Sequence, residues 1–462
     1  MRVLRLTEVH RGAHCIGASC EINGLRFHVT VWYEAIDLDE LARLHGDELL
    51  ERIAVHVAVF QLNAVASLRP DAIDLGPWAR FATPELVALW RTVFRNVWGQ
   101  WRWEHDLPDY VPEFAGAGIS APPAHVPEGP VELLAFCGGG KDSLVALRLL
   151  ERARLPFATL AYSHSIYGSA EPQHALIDRL GDATARVRAE RQWVIDDFLD
   201  APVIRLEPQL GTRSILAAET PASVFAALPI ALARGYRGLV VAHETSANAP
   251  NLVWRGEPIN HQWGKSWEAE TLLDHYVQRE LLANVRYFSL LQPVHDEVIF
   301  ELLSRDAPLA SLTHSCNVKK PWCAECAKCA YVWLQFAAHL PAEVVRATFG
   351  DDLSERPANE RWFRELFGLA QHSPFECVGS PAEARLALAL ARARGAGGPR
   401  LAAFAGEIGP IDVAALATPL VGVGDRHGMP AHVASAVMPQ LEDAARSAGR
   451  RLGVGDQLPA AF

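Results

Sequence analysis

Residues 131–150 constrain the fold of this chain more than any other segment. An apolar run ends at Cys137, and three glycines follow, Gly138, Gly139 and Gly140. Lys141 then opens a stretch with apolar residues at helical spacing. This pattern predicts a buried strand, a tight loop and a helix, which is a unit of a parallel α/β sheet.

The loop between this strand and helix has the chemistry of a phosphate site. Glycines leave backbone N–H groups uncovered, and a helix N-terminus adds unpaired donors and a favourable dipole. Lys141 adds a positive charge, Ser143 a hydroxyl, and Asp142 a carboxylate that can hold Mg²⁺. The alternative is a glycine-rich turn without a ligand, because the segment matches neither the P-loop of NTPases nor the G-x-G-x-x-G of dinucleotide folds.

Length and charge limit the class of protein. A chain of 462 residues predicts more than one domain, and changes of pattern divide it into residues 1–128, 129–315, 316–380 and 381–462. The net charge of −11 argues against broad binding to nucleic acid. No apolar run reaches the roughly 20 residues that cross a bilayer, and we recognise no secretory signal. We therefore expect a cytoplasmic protein without a membrane partner, of unknown oligomeric state.

Residues 1–128 have the pattern of an α+β module. Alternation around Asn23-Gly24 predicts a hairpin, and helical spacing predicts helices over residues 37–68 and 84–103. Pro, Gly and Ala dominate residues 113–130, which we interpret as a linker.

From residue 131 onward, strands and helices alternate, which predicts a parallel sheet with helical crossovers. Further strands are expected at residues 157–162, 202–206, 238–242 and 287–291, with a helix over residues 222–234. Ligands of such sheets lie at the carboxyl ends of the strands. The loops that begin at Gly138, Ser163 and His243 should therefore face one crevice.

A polar insertion follows the strand at residues 238–242. Long ordered loops in compact domains are usually functional, and this one carries Asn248, Asn260, His261 and Lys265. We expect these side chains to contact substrate, with a solvated loop as the alternative.

Four cysteines follow in the pattern C-x6-C-x2-C-x2-C, namely Cys316, Cys323, Cys326 and Cys329. Four thiolates at this spacing predict a structural, tetrahedral Zn²⁺ site. An iron–sulfur cluster is the alternative, whereas the expected cytoplasmic location disfavours disulfides. The remaining cysteines, Cys377 among them, are interpreted by default as small buried hydrophobes. Residues 381–462 are rich in alanine and predict a helical region that ends in a helix over residues 431–449.

The motif GGGKDS at residues 138–143 resembles the SGGxDS loop of the ATP-pyrophosphatase (PP-loop) branch of the adenine-nucleotide α-hydrolase superfamily. That resemblance implies a parallel-sheet α/β domain that cuts ATP between its α- and β-phosphates. Gly138 departs from the family motif, which has Ser there, so one hydroxyl contact to phosphate is missing.

A closer resemblance covers most of the chain. GGGKDS, HETSAN followed by INHQWGKSWE, the cysteine cluster and PFECVG near Cys377 are similar to the UDP-N-acetylmuramoyl-L-alanyl-L-glutamate epimerases of peptidoglycan precursor synthesis. The resemblance implies an enzyme that uses ATP and Mg²⁺ to invert the terminal L-Glu of the nucleotide-linked dipeptide to D-Glu, with release of AMP and diphosphate.

On this hypothesis Gly138–Gly140, Lys141 and Ser143 bind ATP, and Asp142 helps to hold Mg²⁺. Glu244, His261 and Lys265 act in catalysis, with His261 or Lys265 as proton carrier and Cys377 as a weaker candidate for a second base. Asn248, Asn260 and Lys319 bind substrate. The alternatives are an ATP-dependent amidotransferase or nucleobase-modifying enzyme of the same superfamily, or a nucleotide sensor without catalysis.

Overall fold

A continuous sheet runs through the part of the chain that the structure, a computed structural model, describes, which is residues 1–201 and 218–454. Within these residues, ten strands form the sheet in the order β12-β9-β6-β7-β8-β3-β2-β1-β4-β5, and β10 and β11 form a separate ribbon. The strands are β1 (Val3–Gly12), β2 (Cys15–Ile22), β3 (Leu25–Tyr33), β4 (Ala72–Asp74), β5 (Glu113–Phe114), β6 (Leu133–Phe136), β7 (Phe157–His164), β8 (Arg188–Asp196), β9 (Gly238–Val241), β10 (Leu252–Trp254), β11 (Glu257–Ile259) and β12 (Arg286–Ser289).

The described residues also form helices on both faces of the sheet. They are α1 (Leu38–His45), α2 (Asp47–Gln61), α3 (Pro84–Val97), α4 (Gly99–Glu104), α5 (Lys141–Arg152), α6 (Ala170–Asp182), α7 (Asp197–Asp200), α8 (Glu219–Arg234), α9 (Trp267–Glu280), α10 (Asp296–Ser304), α11 (Ala307–Ala310), α12 (Ala327–His339), α13 (Ala342–Phe349), α14 (Glu360–Leu366), α15 (Pro381–Ala393), α16 (Pro399–Ile408), α17 (Val413–Ala417) and α18 (Ala431–Arg451).

The half of the sheet that carries the glycine loop is parallel. Strands β12, β9, β6, β7 and β8 all pair in parallel, which confirms the predicted α/β class and the strands expected at β6, β7, β9 and β12. Parallel pairing requires helical crossovers, and these bury both faces of the strands. Along β6, Leu134 packs with α8 and α9 on one face, and Leu133 and Ala135 pack with α5 and α10 on the other.

The third parallel strand in chain order was not predicted. It is β8, with the sequence RAERQWVID, in which Glu190 is 2% and Gln192 1% exposed. A half-buried strand is recognised by the alternation of apolar and polar residues, and polar residues at buried positions interrupt this alternation. Glu190 is stabilised there by the Tyr236 hydroxyl, which donates to it over 2.9 Å. The strand expected at residues 202–206 lies outside the described residues.

The N-terminal region contributes to the same sheet. The predicted hairpin is confirmed as β2 and β3, and β3 then pairs antiparallel with β8, from Val29 opposite Asp196 to Tyr33 opposite Gln192. Hydrogen bonding therefore crosses the predicted boundary at residue 128, and this boundary stays a prediction, as do the two at residues 315 and 380.

The predicted N-terminal helices are real but interrupted. Gly46, with φ of 94°, separates α1 from α2, and Trp98 separates α3 from α4. The segment Asp47–Leu68 is apolar and long enough to cross a membrane, and 94% of its most apolar stretch is buried inside the protein. Such burial is typical of the core helix of a globular protein.

Candidate functional site

The glycine loop joins β6 to α5 as predicted. Gly139 has φ of 83°, and a Cβ there would lie 2.0 Å from Nε2 of His314, so both backbone conformation and space require glycine. At Gly138, in contrast, no atom of the described residues other than its chain neighbours lies within 4 Å of the position that a Cβ would occupy. Gly140 precedes α5 and offers no side-chain cap to the helix, so the first amides of α5 have no side-chain acceptor at the cap and suit an anion.

Lys141 lies in a buried group of carboxylates. It is 3% exposed, and Nζ lies 2.5 Å from Oδ1 of Asp142 and 2.5 Å from Oδ1 of Asp296. The Tyr331 hydroxyl donates to the other oxygen of Asp296 over 2.5 Å. Burial disfavours the ammonium, but the two carboxylates outweigh this effect and raise the pKa of Lys141. Its charge is thus balanced by two carboxylates, and the contact of Lys141 with phosphate stays a prediction.

Glu244 belongs to the same electrostatic group. Burial, followed by the charge of Asp142, raises the pKa of Glu244 to about 7. Burial also raises the pKa of Asp296. Asp142, Glu244 and Asp296 are carboxylates, the ligand type that Mg²⁺ prefers, and Lys141 pairs with two of them, Asp142 and Asp296. Asp296 is the first residue of α10, and the acidic first turn of this helix is visible in the sequence. The sequence does not show that Asp296 lies next to Lys141.

A cavity of about 380 Å³ adjoins the glycine loop and brings several predicted residues together. It is lined by Gly138, His261, Lys265, Cys326 and Cys377, which come from four separate parts of the chain. Residues of the lining that the sequence analysis missed include Glu219, His314, Lys320 and Glu376. Of the three loops predicted to face one crevice, the one that begins at Gly138 lines this cavity, whereas Ser163 and His243 are not part of the lining. The cavity extends instead to the segment around Cys377.

Three reactive side chains meet on the cavity wall. The ligating atoms of His261, Glu376 and Cys377 all lie within 4.8 Å of one another. Lys265 forms a hydrogen bond with the Cys377 side chain, and its interactions with Cys377 and Glu244 outweigh burial and raise the pKa of Lys265. Lys265 is therefore an ammonium at neutral pH, suited to stabilise negative charge rather than to accept a proton.

The tautomer of His261 follows from its partner. Nδ1 lies 2.7 Å from Oε1 of Gln100, whose amide nitrogen donates to Glu104 over 2.6 Å. Because an amide oxygen only accepts, Nδ1 carries the proton and Nε2 presents a lone pair. Burial lowers the pKa of His261, so the imidazole is neutral and can act as a base. Gln100 belongs to α4, and the sequence offers no signal that links it to residue 261.

Asn248 and Asn260 lie in the insertion but hold its loops together. Asn248 donates to the Thr245 carbonyl over 2.8 Å and accepts from the Trp267 amide over 2.8 Å. Asn260 donates to the Ala247 carbonyl over 2.8 Å. Neither residue lines the cavity described here, and these bonds give both a structural role.

Lys319 and Ser143 also lie apart from the cavity lining. Lys319 is exposed, whereas its neighbour Lys320 lines the cavity and donates to the His314 carbonyl over 3.2 Å. Ser143 is half-buried in the first turn of α5. The sequence analysis named Lys319 as a substrate-binding residue, whereas Lys320 is the lysine that lines the cavity.

The cysteine cluster has the dimensions of a tetrahedral metal site. The four sulfur atoms lie within 4.8 Å of one another, and Cys316–Cys326 and Cys323–Cys329 are each separated by 3.8 Å. A tetrahedron of sulfurs about 2.3 Å from a central Zn²⁺ has edges of about 3.8 Å, whereas a disulfide needs about 2.05 Å. Amide groups of Val318 and Lys319 point at Cys316 Sγ over 3.4 Å, which stabilises a thiolate.

Two family models match this chain, the MurL N-terminal domain over residues 218–290 and the MurL C-terminal domain over residues 311–399. The first range contains His261 and Lys265, and the second contains the cysteine cluster and Cys377. The matched ranges thus meet at the cavity.

Curated relatives are also similar to this chain. Proteins of Salinispora tropica and Micromonospora sp. are each 31% identical over 320 and 317 residues, 66% of this chain in both cases. A protein of Xanthomonas oryzae pv. oryzae is 27% identical over 383 residues. The alignments span 66%, 67% and 81% of these relatives, so about two thirds of the first two. All three are named UDP-N-acetyl-alpha-D-muramoyl-L-alanyl-L-glutamate epimerase.

Proposed function

Because this chain belongs to the family of UDP-N-acetyl-alpha-D-muramoyl-L-alanyl-L-glutamate epimerases, we propose that it inverts the terminal L-Glu of that nucleotide-linked dipeptide to D-Glu. The observation that carries the proposal is the shared cavity, which places a neutral imidazole, a thiol and a half-buried ammonium beside the glycine loop. Inversion at an α-carbon needs a base, a proton donor and a means to stabilise the carbanion.

We propose that ATP and Mg²⁺ drive the reaction. A free carboxylate makes its α-proton a poor acid, because the carbanion would form beside a negative charge. Attack of that carboxylate on the α-phosphorus of ATP, with departure of diphosphate, gives an acyl-adenylate without that charge. The glycine loop and the N-terminus of α5 would bind the phosphates, as in the PP-loop superfamily that the motif resembles. Asp142, Glu244 and Asp296 would hold Mg²⁺, which neutralises phosphate charge when bound.

We assign the removal of the α-proton to Nε2 of His261, whose lone pair is oriented by Gln100. The Lys265 ammonium stabilises the enolate that forms. After reprotonation, water cleaves the acyl-adenylate to the D-glutamyl carboxylate and AMP. This assignment narrows the sequence hypothesis, in which either His261 or Lys265 carried the proton.

The second proton carrier has to come from another part of the cavity. Two groups on opposite faces of a carbon, each about 3–3.5 Å from it, are separated by about 6–7 Å. His261 and Cys377 are within 4.8 Å of each other, so we assign both to the same face. Lys320 lines the cavity as well, and burial lowers the pKa of its ammonium, which makes it a better proton donor. We propose Lys320 for the opposite face.

Deuterium exchange tests the proposed reaction. The L-Glu substrate is incubated in D₂O with the protein, with and without ATP and Mg²⁺, and deuterium at the glutamyl α-carbon is measured by mass spectrometry. We expect uptake, inversion and AMP release only with ATP. Absence of uptake under both conditions would contradict the epimerase function, and uptake without ATP would contradict activation by adenylation.

The same assay separates the two proton carriers. Loss of one carrier abolishes inversion but leaves proton exchange from the isomer that the other carrier serves. His261→Asn and Lys320→Met should therefore each retain α-proton exchange with only one of the two isomers. If one variant exchanges the L isomer, the other should exchange the D isomer. The same preference in both variants would show that the two residues do not serve opposite faces.

A further inference from the structure

His314 and Ser315 lie directly against the glycine loop. The His314 amide donates to the Gly139 carbonyl over 2.8 Å, and the His314 ring occupies the space next to Gly139. The next residue, Ser315, faces Gly140, with its Cβ 3.2 Å from the position that a Cβ of Gly140 would take. Two consecutive residues of this segment thus face two consecutive glycines of the loop.

Both residues carry a buried polar atom without a partner in the described part of the chain. His314 is 1% exposed, and its Nε2 has no hydrogen-bond partner there. The Ser315 hydroxyl is equally inaccessible and equally unpaired within residues 1–201 and 218–454. Buried polar groups are satisfied in the great majority of native proteins, because an unpaired one destabilises the fold. Two adjacent exceptions beside a cavity that His314 lines indicate a ligand.

The surroundings define the charge of that ligand. The N-terminus of α5 lacks a side-chain cap, and the ammonium groups of Lys265 and Lys320 belong to the same cavity. A hydroxyl in this setting donates a hydrogen bond to an anion. Nδ1 of His314 lies 3.2 Å from the Leu312 carbonyl and carries the proton, so its Nε2 accepts from a hydroxyl or water bound with the anion.

We propose that Ser315 is a phosphate-binding residue, whose Oγ donates a hydrogen bond to a phosphate oxygen of the nucleoside triphosphate held by the glycine loop, and that His314 positions it there. The inference rests on the proposed use of ATP and adds a donor from outside the glycine motif. It also gives the loop a hydroxyl although residue 138 is a glycine.

Binding of ATP with Mg²⁺ and of adenosine is measured by calorimetry on the full chain, for the wild type, Ser315→Ala and Ser315→Thr. We expect Ser315→Ala to weaken ATP binding about tenfold, as for loss of one charge-assisted hydrogen bond, and to leave adenosine binding unchanged. Ser315→Thr, which keeps the hydroxyl, should bind ATP nearly as well as the wild type. Ser311→Ala is the matched control, because Ser311 is exposed and donates within its own turn, to Pro308, over 2.9 Å.

The melting temperature shows whether Ser315 has only a structural role. Removal of an unpaired buried hydroxyl should leave the melting temperature of Ser315→Ala unchanged or raise it. A wild type that binds ATP while Ser315→Ala binds it equally well would overturn this inference alone. A wild type that binds no ATP would contradict the proposed function and the inference together.

Discussion

At the scale of single residues, the protonation of buried groups governs what the cavity can do. His261 is held in one tautomer by Gln100, and Lys265 is held as an ammonium by the charges around it. These states depend on partners that are remote in sequence, since Gln100 belongs to α4 and precedes His261 by 161 positions. Exchange of an amide for a carboxylate at a partner position such as residue 100 can therefore change the pH dependence of the reaction, although the reacting groups stay the same.

Gln100→Glu tests this dependence. A carboxylate next to Nδ1 favours the imidazolium, so the pKa of His261 should rise from its lowered value. Because the base must be unprotonated, the acidic limb of the pH profile of kcat/KM is expected to move about one unit toward higher pH. Gln278→Glu serves as control, since Gln278 lies away from His261 in the chain and donates within α9, to the Asp274 carbonyl. An unshifted limb would rule out His261 as the group that titrates there.

Glu270 offers a test of stability apart from the cavity. It is 1% exposed, and burial raises its pKa to about 8. Between pH about 4.5 and 8 the unfolded chain releases this proton and the folded chain keeps it, so stability falls as pH rises through that window. Glu270→Gln mimics the protonated form and should stabilise the protein by roughly 2 kcal/mol or more at pH 9 relative to pH 5.

Urea unfolding at pH 5 and pH 9 measures this difference. Glu343→Gln, at an exposed position of α13, should change stability equally little at both pH values. An effect of Glu270→Gln that is the same at pH 5 and pH 9 would mean that the Glu270 carboxyl is ionised in the folded protein at both.

At the scale of elements, the cysteine segment connects metal binding to the cavity. Cys326 caps α12, since its sulfur accepts from the Cys329 amide over 3.4 Å, and the same residue lines the cavity. Lys328 of α12 donates to the Cys377 carbonyl, and Trp103 of α4 packs against Phe375 with ring centroids 5.2 Å apart. Two distant elements, α12 and α4, therefore fix the segment that carries Glu376 and Cys377.

Metal content tests the cysteine segment. We expect about one Zn²⁺ per chain, little or none in Cys326→Ser, and a stability loss of several kcal/mol in that variant, because metal binding is coupled to folding. Elemental analysis and thermal melting provide the measurements. Cys20→Ser is the control, since Cys20 is buried in the core outside the cluster. This variant should be less stable because core packing is weakened, but it should keep its bound metal. Iron in place of zinc would support the iron–sulfur alternative.

At the scale of the whole molecule, local patterns predicted the elements but not how they meet. The strand–glycine–helix unit, the hairpin, four of the parallel strands and the cysteine spacing are all short-range features, and the structure contains them. The strand β8 was not predicted, because Glu190 and Gln192 are polar residues at buried positions. Tertiary packing determines the features that were missed, because a periodic pattern does not encode it. These features are the pairing of β3 with β8, the position of Lys320 in the cavity lining, and the contact of Gln100 with His261.

The shared sheet predicts that the N-terminal strands are needed for solubility. Val31 of β3 lies opposite Val194 of β8 in the middle of the ladder, and proline there removes a ladder hydrogen bond. Val31→Pro is expected to expose the edge of β8 and to cause aggregation, measured by size-exclusion chromatography. Val253→Pro, in the separate β10–β11 ribbon, should remain soluble. A soluble, folded Val31→Pro protein would show that residues 131 onward fold independently of β3.

The same strand pairing sets an order of events during synthesis. On the ribosome, β3 emerges early, but β8 follows only on the order of ten seconds later at typical rates of translation. During that interval the hairpin of β2 and β3 has an open edge and no partner. Contacts so distant along the chain also slow folding. The nascent chain is thus a natural client for chaperones that shield strand edges until β8 has been made.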